Sequence, residues 1–295
     1  MKLVFLETLD TILKRGSFAA AAEEVGLTPS AVSLQVKRLE EHFGQPLFVR
    51  SGRIAQPTPI ARELARTMRE ALAAMEALRL RTTPVVSGRV VLGTIRTVQS
   101  STLLPALGDL RRKYPELVVR AIQGESAALV EQLKAGVIDA AVVIRSTAGV
   151  GGRLHWHPLA HEHFVLIAPP DSTGGSLVEL LRSYDWIQFD TALVSGRMAA
   201  KYLRRAAPGA RGTVEIDSID TIVALVSAGA GVSVVPKPRN PISETHPVRE
   251  LPLEQHAQSR EIAFVSRTLD MDNRRVGALR EAFDVAYGAS HLPPP

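Results

Sequence analysis

The chain has no cysteine among its 295 residues. That excludes thiol redox sensing, thiolate zinc sites and cysteine nucleophiles together. No apolar run is long enough to span a bilayer, so no membrane contact is expected. The first residues, Met1-Lys2-Leu3-Val4, lack the long apolar core and cleavage site of a secretory signal, and a cytoplasmic location is expected. Nucleophile elbows, glycine-rich phosphate loops and metal motifs are missing too. An enzyme is therefore not expected, and no catalytic residue, cofactor or metal is assigned. Charge of one sign is also scarce. The net charge is only +5, and residues 1–58 hold seven Lys and Arg against six Asp and Glu. A nucleic-acid site must arise from where charges are placed.

Hydrophobic residues at 45% and charged residues at 22% are ordinary for a globular protein. The length suggests two or three domains. The most informative stretch is "SFAAAAEEVGLTPSAVSLQVKRLE", residues 17–40. A first helix precedes it, with Val4, Leu6, Leu9, Ile12 and Leu13 near helical spacing. Ser17 suits the N-cap of a second helix running to Val25, and Gly26 suits its left-handed end. Leu27 is expected to plug the corner. Thr28 then caps a third helix with Pro29 at its first position, where a missing N–H costs nothing.

On a wheel, Val32, Val36, Leu39 and Phe43 of this third helix share an inward arc. Ser30, Leu34, Lys37 and Glu41 lie opposite, with Ser33 and Arg38 on the flanks. Small residues near the N-terminal end suit close approach to the major groove of double-stranded DNA. A plain three-helix bundle with a tight turn is the competing reading. The following "PLFVRSGRIAQPTP", residues 46–59, has the pattern of a β-hairpin wing with Arg50 and Arg53 exposed toward phosphates or a minor groove. Arg53→Ala should weaken DNA binding broadly across sequences and reduce its salt dependence, read from affinities at several salt concentrations. A changed sequence preference with unchanged affinity would contradict the wing assignment. After Thr58-Pro59, Leu64, Met68, Leu72 and Met75 form a stripe too long for a small domain to cover. A second copy of the helix is expected to cover it, the alternative being packing along the same chain.

With these residues together, the sequence resembles the LysR-type transcriptional regulators. The resemblance runs through Phe5-Leu6, Gly16-Ser17-Phe18, Ala20-Ala21-Ala22, Leu27, Ser30-Ala31-Val32-Ser33, Gln35, Leu39-Glu40, Gly44, Leu47-Phe48, Arg50 and Thr58. Further segments at 103–119, 133–143, 158–170 and 225–237 are similar to the family's effector domain. Two positions depart: Leu34 stands where many members have Arg, and Ala61 where many have Gly. Leu34 can meet a thymine methyl but cannot hydrogen-bond guanine. Ala61 is the better helix former and should be harmless.

From residue 89 the pattern alternates strands and helices, which implies a parallel sheet with crossover helices. The resemblance implies an α/β fold with an N-terminal winged helix-turn-helix (1–58), a linker dimerisation helix (59–82), a hinge (83–88) and a periplasmic-binding-protein-like effector domain (89–290). Its lobe I is expected at 89–161 and 267–290 and its lobe II at 162–266, with crossings near His161 and Ser266. Ligands of open α/β sheets sit beyond the carboxyl ends of strands. Those ends supply Thr97, Gln99, Ser100, Ser101, Ser126, Arg145, Gln188 and Thr221 as candidate effector contacts. A small organic anion would suit them, with Arg96 or Arg145 as counter-charge. Ordinary helix capping is the alternative role for each. The resemblance implies an effector-controlled regulator acting as a homodimer or homotetramer. The alternative is a small-molecule-binding protein or enzyme with no DNA role. The cluster "HWHPLAHEH", with His155, His157, His161 and His163 beside Glu162, could chelate zinc or nickel by residue type. It overlies a strand and a lobe crossing of the family pattern, so no metal site is assigned.

Overall fold

The computed structural model describes residues 2–51, 54–81, 86–145, 153–253 and 259–288. The chain divides into two units, Met1–Leu80 and Arg81–Pro295. Among the described residues no helix is long and apolar enough to cross a membrane.

The first unit contains α1 (Leu3–Arg15), α2 (Phe18–Glu24), α3 (Pro29–Phe43), a hairpin of β1 (Phe48–Ser51) and β2 (Ile54–Pro57), and α4 (Pro59–Arg81). Its helix ends follow the local chemistry. Ser17 Oγ accepts the Ala20 N–H at 3.1 Å, and Thr28 Oγ1 accepts the Ala31 N–H at 3.2 Å. Gly26 takes φ +67°, and the Leu27 N–H closes onto the Ala22 carbonyl at 2.9 Å. The corner is fixed by this backbone bond. The Leu27 side chain does not plug it, being 38% exposed. Val32 and Val36 pack with Ile12, Ala21 and Ala22. Leu39 packs with Leu6, Leu9, Leu47 and Met68. Thr8 donates to Gln35 Oε1 at 2.6 Å, pinning α1 to α3.

The stripe on α4 is largely consumed by its own chain. Ala61 and Ala65 are fully buried, and Ala61 packs in the core with Leu6 and Leu9 of α1. Leu64, Met68 and Leu72 then join the core formed by Leu6, Leu9 and Leu39. Arg69 ion-pairs with Asp10 of α1. Met68 is thus buried in the chain's own core, while Leu64 and Leu72 are half-buried against it. Helical spacing does not distinguish a partner copy from the chain's own core. Met75, 63% exposed, is the member of that set left open.

The second unit begins with β3 (Gly88–Thr94), α5 (Arg96–Ser101), α6 (Leu103–Lys113), β4 (Leu117–Gln123), α7 (Ser126–Lys134) and β5 (Ala140–Ile144). The long strand β6 (Leu154–Ala168) leads into α8 (Leu177–Leu180), β7 (Trp186–Phe189), α9 (Val194–Ala206), β8 (Gly212–Ile216), α10 (Ile219–Ser227) and β9 (Ser233–Pro236). Then come α11 (Ile242–Thr245), β10 (Arg249–Pro252), β11 (Ser259–Arg267) and α12 (Arg274–Tyr287). β3 pairs in parallel with β4 and β5, while β11 lies antiparallel between β5 and β6. The sheet is therefore mixed, not wholly parallel. β11 returns to it without a crossover helix, because its apolar run Ile262–Val265 fills the middle of the first core.

β6 belongs to both lobes. Its residues 154–163 pair with β11, and 164–168 pair with β9 and β10. Two cores follow, one around Leu92, Val142, Phe264 and Phe283, the other around Phe164, Trp186, Ile222 and Val234. The first crossing thus lies at Phe164. The second precedes Ser259, not Ser266, so β11 is part of lobe I. In the histidine cluster, His157 Nε2 lies 2.7 Å from Asp284 Oδ1 of α12. A register shift opposite Ile262/Ala263 interrupts the strand alternation between His157 and His161. Among the described residues, no three His, Asp or Glu side chains gather to hold a metal ion.

Candidate functional site

Two surfaces carry chemistry. On the first unit, Ser30, Ser33, Leu34 and Lys37 of α3 are exposed, Leu34 at 50%. Ser33 Oγ donates to the Pro29 carbonyl at 2.9 Å, and the Thr28 and Ser30 hydroxyls lie 3.0 Å apart. Thr28 Oγ1 is engaged by the Ala31 N–H, whereas Ser33 Oγ, as a donor only, keeps its acceptor capacity. Ser17, Thr28 and Pro29 are exposed at the helix starts.

The hairpin is tied to the same helix. Glu40 Oε1 accepts the backbone N–H groups of Leu47 at 2.7 Å and Phe48 at 3.3 Å. Thr58 Oγ1 donates to the Pro46 carbonyl at 3.0 Å. Arg50 pairs through its backbone with Ala55. Its side chain, and the whole of Arg53, lie outside the described residues. Glu40→Ala frees the hairpin from α3 and leaves two N–H groups without their acceptor. It should weaken DNA binding about tenfold although Glu40 touches no DNA, as read by fluorescence anisotropy. Unchanged affinity would mean that the hairpin does not act with α3.

In the second unit a cavity of about 330 Å³ opens between the lobes, a size suited to a small molecule. Of the sequence candidates, Thr97 and Ser126 line it. Ser100 and Ser101 instead border a recess of about 30 Å³ behind it. Ser101 donates to the Thr97 carbonyl at 2.6 Å, an ordinary bond within a helix. The other candidates line neither space. Arg145 pairs with Glu261 at 2.9 Å. Gln188 is spent between the Trp186 Nε1–H and the Phe189 carbonyl. Thr221 gives its N–H to Ser218 Oγ, and its side chain is exposed. Gln99 lies on α5 away from both spaces.

Two arginines, Arg96 and Arg260, line the cavity, and the buried one is Arg260, which the sequence reading missed. It opens the buried half of β11 and is 5% exposed. Its Nη1 donates to Ser195 Oγ at 2.7 Å in lobe II, and its Nη2 to Thr97 Oγ1 at 3.1 Å in lobe I. Its Nε donates to Glu162 Oε2 at 2.8 Å, and Arg239 approaches the other Glu162 oxygen at 3.2 Å. Arg239 also stacks over the Tyr287 ring, 4.8 Å from its centroid. Burial pushes the Tyr287 phenol well above its ordinary pKa, so it stays protonated and neutral. Arg96, the expected counter-charge, pairs across the cleft with Asp217 at 3.1 Å. A charged residue heading an apolar run, "REIAFV" at 260–265, was the available signal.

A helix-turn-helix unit with a wing, followed by a two-lobed α/β unit with a charged cleft, defines a ligand-responsive DNA-binding protein. Known proteins agree. The family described as "LysR substrate binding domain" matches residues 85–286, and "Bacterial regulatory helix-turn-helix protein, lysR family" matches residues 3–62. The chain belongs to the LysR family of transcriptional regulators, DNA-binding proteins with an effector-binding domain. It is 32% identical over 256 residues to the HTH-type transcriptional regulator AbaB of Streptomyces antibioticus, covering 80% of this chain and 82% of that one. It is 30% identical over 244 residues to the nitrogen assimilation regulatory protein nac of Klebsiella aerogenes, covering 80% and 79%. In fold it is similar to a full-length OxyR variant from Pseudomonas aeruginosa, with TM-score 0.77, 21% identity and coverage of 100% and 99%. Full-length LysG from Corynebacterium glutamicum with bound effector Arg has TM-score 0.67, 20% identity and coverage of 99% and 100%.

Proposed function

We propose that this regulator reads operator DNA with the exposed face of α3 and its wing, and that a small organic effector carrying an anionic group binds at Arg260 between the lobes. The observation that carries the effector reading is the reach of Arg260 to Thr97 in one lobe and Ser195 in the other. An anion placed there meets a buried guanidinium and the hydroxyls of Thr97, Ser126 and Ser195, and touches both lobes at once. Binding then shifts the balance between lobe arrangements, and with it the spacing of reading helices on DNA. The bound effector of LysG supports a ligand role for a domain of this fold. The protein acts in the cytoplasm as a homodimer or homotetramer, with the exposed side chain of Met75 on α4 available for contact between copies. It catalyses no reaction. Ser17, Thr28, Pro29, Ser30, Ser33, Leu34, Lys37, Arg50 and Arg53 form the DNA face.

An electrophoretic shift with the gene's own upstream DNA tests the first part. Binding at moderate salt is expected, and failure of the full chain to bind would count against the reading. On that DNA, Ser33→Ala combined with Leu34→Arg should change base preference. Arginine can reach guanine O6 and N7, which leucine cannot, and each such pair carries about 1–3 kcal/mol of discrimination. Selection from a randomised operator should show the change, with oligomeric state unaltered in sedimentation. An unaltered preference would place the reading residues elsewhere.

A further inference from the structure

We infer that the ligand of this cleft is a zwitterion, a small amino-carboxylate with an apolar body, and not a simple anion. The inference rests on the proposal that the cleft is the effector site. The cavity walls carry separated charge. Arg260 lines the cavity, and Glu162, in the adjoining recess, divides its two oxygens between Arg260 and Arg239. Two guanidiniums share one carboxylate, so the Arg260 end keeps a positive excess for a ligand carboxylate.

Elsewhere on the same cavity stand Glu125 and Asp190. Neither forms an ion pair with a described residue. Asp190 Oδ1 accepts the Ala192 N–H at 2.8 Å, a bond that does not neutralise its charge. Glu125 holds the N-cap position of α7 without capping it by its side chain. The third carboxylate, Asp217, is matched by Arg96 at 3.1 Å. A ligand with only a carboxylate would satisfy Arg260 and leave two unmatched carboxylates beside an anion. A ligand that also carries an ammonium answers both ends.

The placement adds a reason. Glu125 belongs to lobe I and Asp190 to lobe II, as Thr97 and Ser195 do at the Arg260 end. An ammonium between Glu125 and Asp190 therefore joins the lobes, as a carboxylate does at Arg260. The same walls also carry apolar side chains, Ile95, Ile144, Phe189 and Leu193. That fits an aliphatic or aromatic body on the amino-carboxylate.

The test is calorimetric titration of the full-length protein with leucine, valine and phenylalanine, each beside its des-amino acid (4-methylpentanoate, 3-methylbutanoate, 3-phenylpropanoate) and its decarboxylated amine. At least one amino acid should bind. Its des-amino acid and its amine should bind about ten- to a hundredfold more weakly, as expected when one charge-assisted contact is lost. Asp190→Asn keeps the bond to Ala192. It should weaken the amino acid by a similar factor, bind the des-amino acid no more weakly than the parent does, and leave the melting of the free protein within about 2 °C. Des-amino acids binding as tightly as amino acids, or an Asp190→Asn variant indifferent to the ammonium, would overturn the zwitterion. If simple carboxylates bind and depend on Arg260, the anion reading stands alone. If no compound of any set binds, both readings fall.

Discussion

Replacing Gly196 with alanine should destabilise the second lobe by at least about 3 kcal/mol, the upper end of ordinary overpacking. Gly196 lies in the first turn of α9, where that helix crosses the end of β7. A Cβ there would sit 1.8 Å from the Asp190 carbonyl oxygen, 2.5 Å from its carbon and 2.7 Å from the Phe189 oxygen. These are backbone atoms, so no side chain can swing aside. They are also anchored: Phe189 is the last residue of β7, paired with Ile216 of β8, and the Asp190 N–H donates to the Ile216 carbonyl at 2.9 Å. The helix must lift away from the strand, and Tyr202, Leu203 and Ala199 would leave the second core with it. For a unit of this size, about 3 kcal/mol corresponds to a melting temperature lower by roughly 6–12 °C. The measurement is thermal unfolding of the full chain. Melting within about 2 °C of the parent would mean that α9 does not pack on β7 this closely. Asp190 and Ser195 flank this contact and line the cavity, so ligand binding should fall with stability.

Arg260→Met should abolish effector response and lower stability by about 2–3 kcal/mol. Removing one partner of a buried pair leaves the other charge uncompensated, typically at about 3–5 kcal/mol. The expected loss is smaller here because Glu162 keeps Arg239 at 3.2 Å. Ser195 Oγ and Thr97 Oγ1 would lose their donor as well. Stability loss alone would not identify a ligand site, so a second variant separates the two effects. Arg260→Met with Glu162→Gln removes both buried charges and should recover part of the stability, the loss of the Glu162 contact costing little at Arg239, which is 37% exposed. It should not recover ligand binding, because the cation that meets the ligand is still gone. Thermal unfolding and ligand titration of the single and double variants give the four values needed. Restored binding in the double variant would reduce Arg260 to a structural role.

How legible this was in the sequence depended on whether a signal was local. The helix-turn-helix was readable because caps, a left-handed glycine and a proline at a helix start each act within a few residues. The faces of α3 were readable for the same reason: Val32, Val36 and Leu39 are buried and Ser33 and Leu34 are exposed as the wheel gives. Leu27 went astray because a backbone bond, invisible to hydrophobic pattern, does the work assigned to its side chain. The α4 stripe went astray because periodicity names a buried face without naming what buries it. In the effector domain, Thr97 and Ser126 were found from their place after strand ends. Gln188 and Arg145 stand at similar ends but spend their polar groups on neighbours, and Thr221 exposes its side chain away from the cavity lining. Arg260 was missed because its partners are Thr97, Glu162 and Ser195, brought together only because β6 runs through both lobes and β11 returns beside it in lobe I.

The central claim is that occupancy at Arg260 controls DNA binding. The most direct measurement is the affinity and footprint of the full chain on its upstream DNA, with and without the tightest-binding ligand found by titration, for the parent and for Arg260→Met/Glu162→Gln. The parent should change its affinity or footprint when the ligand is added, and the double variant should bind the DNA yet show no change. A double variant that responds to the ligand as the parent does would contradict the claim.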